Sequence, residues 1–211
     1  MKNIRTIIFD FDGTLADCKE LHQRAFRNAL LSVCPEAEYT DEEIEGRPTR
    51  EKIRILHSKG YEFNGDKLND LKQAETQAHL EKYILFNVRL FDLLHDLSNT
   101  YKLCVASNAT DLFVNRSLEI LQIKHLFSRI NTATDFPAKP DTTTFVDCMV
   151  HTDANYMNTL IVEDSPVGIQ CATATGCQVL EVNNQLDTIN KLNELIKLPW
   201  PLPIITQEQI K

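Results

Sequence analysis

The sequence predicts an α/β protein, a doubly wound parallel sheet with an all-helical domain inserted after its first strand. Three observations carry this expectation. Short apolar runs alternate with amphipathic helical stretches along most of the chain, which is the rhythm of βαβ units. The rhythm breaks once, between residues 16 and 85, where only helical pattern is found. The apolar runs end in polar residues, carboxylates above all, and a parallel sheet presents its ligand-binding groups at its carboxyl edge. The expected organisation of the 211 residues is therefore a first core segment 1–15, a smaller helical domain 16–85 and a second core segment 86–211.

Taken in order, the first strand covers 6–9 and runs into Asp10-Phe11-Asp12-Gly13-Thr14. On an extended backbone residues i and i+2 share a face, so Asp10 and Asp12 point the same way. Gly13 permits a sharp turn, because glycine tolerates positive φ. Two carboxylates converging at a strand tip repel one another and lose hydration unless a cation or a shared proton relieves them.

In the insertion, Leu21, Ala25, Ala29 and Leu30 form one apolar stripe that Val33 extends. Thr40-Asp41-Glu42-Glu43 reads as a capping box, Thr49 as the cap of a helix through 56, and Asp66 as the start of another carrying Leu68, Leu71, Ala74, Ala78 and Tyr83. Asn87 caps the helix that returns to the sheet, with Leu90, Leu93, Leu94 and Leu97 facing inward. Strands are then expected at 103–106, 129–131, 159–162 and 179–182, and helices at 111–121, 141–150, 166–174 and 187–196. Gly46, Gly60 and Gly176 follow helical patterns as caps do, Gly65 fits a turn, and Gly168 inside a helix allows close approach to the sheet. The run Leu198-Pro199-Trp200-Pro201-Leu202-Pro203 cannot continue a helix and is expected to lie extended on the surface.

Composition narrows the function classes. The net charge of −8, without a basic run, argues against nucleic acid and anionic membrane as partners. No segment reaches the roughly 18 consecutive apolar residues of a spanning helix, and Met1-Lys2-Asn3-Ile4-Arg5 lacks the apolar core of a signal peptide. The six cysteines show no Cys-x-x-Cys pair, so reduced core thiols and a cytoplasmic location are expected.

The strand ends form a series. After Asp10 and Asp12 come Ser107-Asn108 beyond the second strand, Lys139-Pro140 in the loop beyond the third, and Glu163-Asp164-Ser165-Pro166 beyond the fourth. Each piece has an ordinary reading as a cap or a turn, but their joint appearance in order at strand ends points to one site. These segments, Asp10-Phe11-Asp12-Gly13-Thr14-Leu15 above all, resemble the four motifs of the haloacid dehalogenase superfamily, over roughly residues 4–182. The inserted helices resemble the cap of its β-phosphoglucomutase-like branch, on a Rossmann-like core.

That resemblance implies a Mg²⁺-dependent phosphatase of a small phosphorylated metabolite. Asp10 would be the nucleophile that forms an aspartyl phosphate, and Asp12 the general acid and base. Asp10, the Asp12 carbonyl and Asp164 would hold magnesium, with Glu163 adjacent. Ser107, Asn108 and Lys139 would hold the phosphoryl group. In the cap, His22, Arg50 and Lys72 would turn toward substrate. Asn87-Val88 and Thr142 depart from the family pattern, in a hinge and a loop rather than in the chemistry.

Three rivals remain on the residues alone. A sugar-phosphate mutase would use the same aspartyl phosphate. A catalytically silent binding protein could share the fold. A phosphorylated receiver module would need an acceptor aspartate at its third strand tip, and residues 51–60 contain none. The sequence leaves the oligomeric state open, a monomer included.

Overall fold

The structure of the protein is a computed structural model that describes residues 4–44 and 47–197. Gly46 and the proline-rich run 198–203 lie outside the described residues. The elements in chain order are β1 (Thr6–Phe9), α1 (Lys19–Val33), α2 (Asp41–Ile44), α3 (Thr49–Ser58), α4 (Gly65–Tyr83), α5 (Val88–Ser98), β2 (Lys102–Ala106), α6 (Asp111–Ile120), β3 (Phe127–Asn131), α7 (Thr143–His151), β4 (Thr159–Glu163), α8 (Pro166–Ala174), β5 (Gln178–Glu181) and α9 (Gln185–Lys197).

Among the described residues the five strands form one parallel sheet in the order β3-β2-β1-β4-β5. The central strand β1 is buried at every residue, which is why it reads as a continuous apolar run rather than an alternating one. Its Ile8 lies between Cys104 of β2 and Ile161 of β4 in register. One face of the sheet packs Ile8, Cys104, Ala106 and Ile161 against Phe145, Cys148 and Met149 of α7 and Cys171 and Ala172 of α8. The opposite face carries Ile7, Phe9, Leu103, Val105, Leu160 and Val162, all buried, and α5 packs on both β2 and α9. All six cysteines are free thiols, five of them buried.

The strand order reverses between β1 and β4. Chains wound in this way open a crevice beyond the carboxyl ends of the two strands. Asp10 follows β1 directly and Glu163 closes β4, so topology alone brings the two acidic motifs together.

The chain divides into two compact units. One runs through Asp17 and resumes at Leu85, and the other is Cys18–Ile84. The second unit is helical, with a core of Phe26, Ala29, Leu30, Cys34, Ile44, Leu56 and Leu68. Phe26 belongs to the buried face of α1 as well as Leu21, Ala25, Ala29 and Leu30, and Val33 is only partly buried. In the short α2, the Glu43 carboxylate accepts from the Thr40 N–H at 2.8 Å, the glutamate half of a capping box.

Several boundaries differ from expectation by one or two residues. Asn64, not Asp66, caps α4, its Oδ1 accepting from the Lys67 N–H at 2.9 Å, and Gly65 is the first helical residue rather than part of a turn. Thr49 is likewise inside α3, after Pro48. Asn87 caps α5 as expected, accepting from the N–H groups of Arg89 and Leu90. Gly60 and Gly176 adopt φ of 94° and 76°, the left-handed conformation that suits glycine after a helix.

Candidate active site

The acidic tip of β1 is fixed by its own backbone. The Asp10 N–H donates to the Val162 carbonyl at 2.9 Å, which carries the β1–β4 ladder one residue further. Phe11 is fully buried and meets Phe113 edge-on at 5.7 Å, so Asp10 and Asp12 flank an anchored side chain. Gly13 then turns with φ of 81°. A Cβ there would come within 2.0 Å of Asp164 Oδ2. The glycine therefore serves both the turn and the approach of the Asp164 carboxylate.

The β4 tip is built around Glu163, which has no exposed surface. Its Oε2 accepts from the N–H groups of Asp164 and Ser165 at 3.0 Å each and from Ser165 Oγ at 3.1 Å. Ser165 Oγ also accepts from the Gly168 N–H at 3.0 Å and caps α8. A Cβ on Gly168 would fall 1.8 Å from Glu163 Oε1, so the close approach expected of this helical glycine is real, and its partner is a carboxylate.

Lys139 joins the two tips. It arrives on the loop after β3, and its Nζ donates to Asp10 Oδ1 at 2.5 Å and to Glu163 Oε1 at 2.5 Å. The same ammonium lies 5.0 Å from the centre of the Phe145 ring, a favourable contact for a cation. Ser107 closes β2's tip, 4 % exposed, with its Oγ accepting from the Ala109 N–H at 3.1 Å; its own hydroxyl hydrogen is left to donate elsewhere. Asn108 Oδ1 accepts from the Lys139 N–H at 2.7 Å, and Asn108 Nδ2 donates to the Lys139 carbonyl at 3.4 Å.

The electrostatics follow from burial. Desolvation pushes the Asp10 carboxyl well above its usual value, Lys139 opposes this, and Glu163 and Asp12 add to it. Burial alone would lower the Lys139 ammonium, but the Asp10 and Glu163 carboxylates outweigh it and hold its pKa above 10.5. Asp164 is pushed up to about 6, by burial first and by Glu163 second. One ammonium thus faces several carboxylates, and the excess negative charge favours a bound cation.

The donor set fits that cation. Asp10, Glu163 and Asp164 each present a carboxylate oxygen, all within 4.8 Å of one another. Asp164 Oδ1 is buried with no hydrogen-bond partner among the described residues. Hard oxygen ligands of this kind suit Mg²⁺. Both Glu163 oxygens already accept hydrogen bonds, so Asp10 and Asp164 are the better placed ligands.

The structure therefore brings Asp10, Lys139, Glu163 and Asp164 into one cluster, with Asp12 two residues along β1's extension and Ser107 and Asn108 at β2's tip. His22 on α1 and Lys72 on α4 meet within the helical unit, Lys72 Nζ lying 3.4 Å from His22 Nδ1. Arg50 is exposed near the start of α3. Phe145 escaped sequence reasoning because a phenylalanine in a helical pattern reads simply as core.

Comparison with known proteins agrees with this architecture. A family model described as haloacid dehalogenase-like hydrolase matches residues 7–182. The chain is 23 % identical over 185 residues to the fructose-1-phosphate phosphatase YqaB of Escherichia coli strain K12, covering 83 % of this chain and 95 % of that protein. It is 25 % identical over 168 residues to the pyrophosphatase PpaX of Anoxybacillus flavithermus, covering 77 % of this chain and 76 % of that one. Among solved structures, a putative β-phosphoglucomutase from Thermotoga maritima superposes with a TM-score of 0.73 at 20 % identity, over 93 % of this chain and all of the other.

Proposed function

The chain belongs to the haloacid dehalogenase-like hydrolase family, and from that premise we propose that it is a Mg²⁺-dependent phosphatase of a small phosphorylated metabolite. The observation that carries the reading is the contact of Lys139 with both Asp10 and Glu163 beside the buried Asp164 Oδ1, which has no hydrogen-bond partner among the described residues. The names of the phosphatase relatives support it in the same direction.

Asp10 is the nucleophile. Its carboxylate oxygen bonds to phosphorus as the bond from phosphorus to the leaving oxygen breaks, and Asp12 as the acid gives that oxygen its proton. Asp12 then takes a proton from an attacking water, and the bond between Asp10 and phosphorus breaks to release orthophosphate. Lys139 and the Ser107 hydroxyl stabilise charge on the phosphoryl oxygens throughout, and loss of one such donor typically lowers the rate by about 10²–10³-fold. Asp10 and Asp164, with the Asp12 carbonyl, are the residues that would hold Mg²⁺, whose positive charge would offset both the local carboxylates and the phosphoryl oxygens. Substrate choice is assigned to the helical unit through His22, Arg50 and Lys72.

The test is phosphate release from a panel of phosphorylated metabolites with Mg²⁺. Wild type is expected to release orthophosphate, and both Asp10→Asn and excess chelator to stop it, the chelator reversibly. Turnover by Asp10→Asn removes the nucleophile assignment, and full activity in chelator removes the metal. Formation of glucose 6-phosphate from β-glucose 1-phosphate, without free phosphate, would show a mutase instead.

A further inference from the structure

Lys139 reaches its two carboxylates from a loop, not from a strand or a helix. A catalytic ammonium has to be held within about 0.5 Å of its working position, so something must fix this backbone. Asn108 grips the residue on both sides, accepting from its N–H at 2.7 Å and donating to its C=O at 3.4 Å. Neighbouring contacts lace the same two segments together. The Ser107 N–H donates to the Asn131 carbonyl at 2.9 Å, and the Ala133 N–H to the Ala109 carbonyl at 3.1 Å. The Asp111 N–H donates to Thr134 Oγ1 at 2.9 Å.

The chemistry of the carboxamide sharpens this. Phosphoryl oxygens accept hydrogen bonds, so an asparagine that bound substrate would have to offer its NH₂ group. Here the shortest contact uses the oxygen, and the NH₂ group faces the Lys139 carbonyl as well. We propose that Asn108 is a positioning residue: its carboxamide clasps the Lys139 peptide and sets the ammonium against Asp10, and this hold, rather than a contact to phosphate, is what the side chain contributes. What the lysine does in turnover rests on the phosphatase reading above.

Two substitutions separate clasp from ligand. Asn108→Ala removes both hydrogen bonds. Asn108→Asp keeps an acceptor for the Lys139 N–H but places a negative charge beside the phosphoryl site. With p-nitrophenyl phosphate and Mg²⁺, the clasp predicts that N108A lowers kcat by up to about 10²-fold, the scale of a small misplacement. N108A should lower kcat more than it raises KM. A phosphate ligand predicts that N108A chiefly raises KM, and that split overturns the proposal. The charge of N108D repels a phosphate under either reading, so that variant is read through backbone exchange and not through turnover.

Amide hydrogen exchange at Lys139, read by NMR on the substrate-free protein, gives an independent arm. N108A should speed that exchange about tenfold or more without changing global unfolding, and N108D should leave it slow. Unchanged Lys139 exchange in N108A also overturns the proposal. If wild type releases no phosphate from any phosphomonoester, the phosphatase reading falls, and the exchange arm decides the clasp alone.

Discussion

Glu163 and Lys139 are joined at 2.5 Å through one carboxylate oxygen, while the other oxygen of Glu163 accepts from two backbone N–H groups and a hydroxyl. A carboxylate with no exposed surface and both oxygens hydrogen-bonded is a framework element as much as a charge. It holds the turn between β4 and α8 and is, after Asp10, the second carboxylate that raises the Lys139 ammonium against its burial.

Removing Glu163 should therefore cost stability before it costs chemistry. Glu163→Ala leaves Lys139 with one carboxylate fewer and strands the N–H groups of Asp164 and Ser165. Breaking a buried pair in this way typically costs about 3–5 kcal/mol. Glu163→Gln keeps the shape and one acceptor oxygen, and should cost less than Glu163→Ala. Urea unfolding of the metal-free proteins measures both. A Glu163→Ala midpoint equal to wild type would mean that Lys139 and the β4–α8 turn do not depend on Glu163.

Gly168 makes a related prediction. A methyl group there would sit 1.8 Å from Glu163 Oε1, and that carboxylate is pinned by its other partners rather than free to swing. Gly168→Ala should destabilise the protein by about 1–3 kcal/mol, as overpacking does, although alanine is ordinarily the better helix former by about 1 kcal/mol. The sign is the test. A more stable Gly168→Ala variant would show that the α8–Glu163 contact is looser than described.

Much of this was legible in the chain. β1, β2 and β4 are buried on both faces, so they appear as uninterrupted apolar runs whose ends are easy to find. The polar residues at those ends, acidic beyond β1 and β4 and Ser107-Asn108 beyond β2, are read off along with the strands. Helix starts were less legible, because several residues in a row could act as caps. Asn64 and Asp66 compete at α4, and Asp141 accepts from the Thr143 N–H at 2.8 Å two residues before α7 begins. The hold of Asn108 on Lys139 could not be read at all. It joins a side chain to a backbone 31 residues away, and no periodicity or motif spacing encodes such a contact.

Metal binding should reverse a stability order. Without metal, Asp164 is an ionised carboxylate beside Glu163 at neutral pH, and its carboxyl pushed up to about 6 by burial records that strain. Asp164→Asn removes the charge, so the metal-free variant should be at least as stable as wild type. Saturating Mg²⁺ should raise the wild-type thermal midpoint, by the equivalent of about 2.7 kcal/mol at a hundred times Kd. The variant should gain little, so that wild type becomes the more stable of the two. Thermal unfolding with and without Mg²⁺ reads this directly. Equal shifts in both proteins would remove Asp164 from the ligand set.

Away from the site, Asp147 on α7 should be one source of acid sensitivity, beside other depressed carboxylates such as Asp187 and Glu43. Burial raises its carboxyl, but hydrogen bonds from Asn131 Nδ2 at 2.9 Å and Arg129 Nε at 2.8 Å outweigh burial and leave it below 3.8 in the folded protein. As pH falls through 3.8 the unfolded chain takes up the proton first, so the unfolded state binds more protons and stability declines with falling pH. The Asp147 contribution is thus complete above 3.8 and is lost below it. Asp10 and Asp164, with raised values, bind protons more readily in the folded state and act in the opposite sense at higher pH. A wild-type curve alone would mix these effects. The difference between wild type and Asp147→Asn isolates one, and urea midpoints between about pH 3 and pH 6 should show that difference flat at the upper end and shrinking at the lower. A difference that grows as pH falls would mean that the Arg129–Asp147–Asn131 contact does not stabilise the ionised carboxylate.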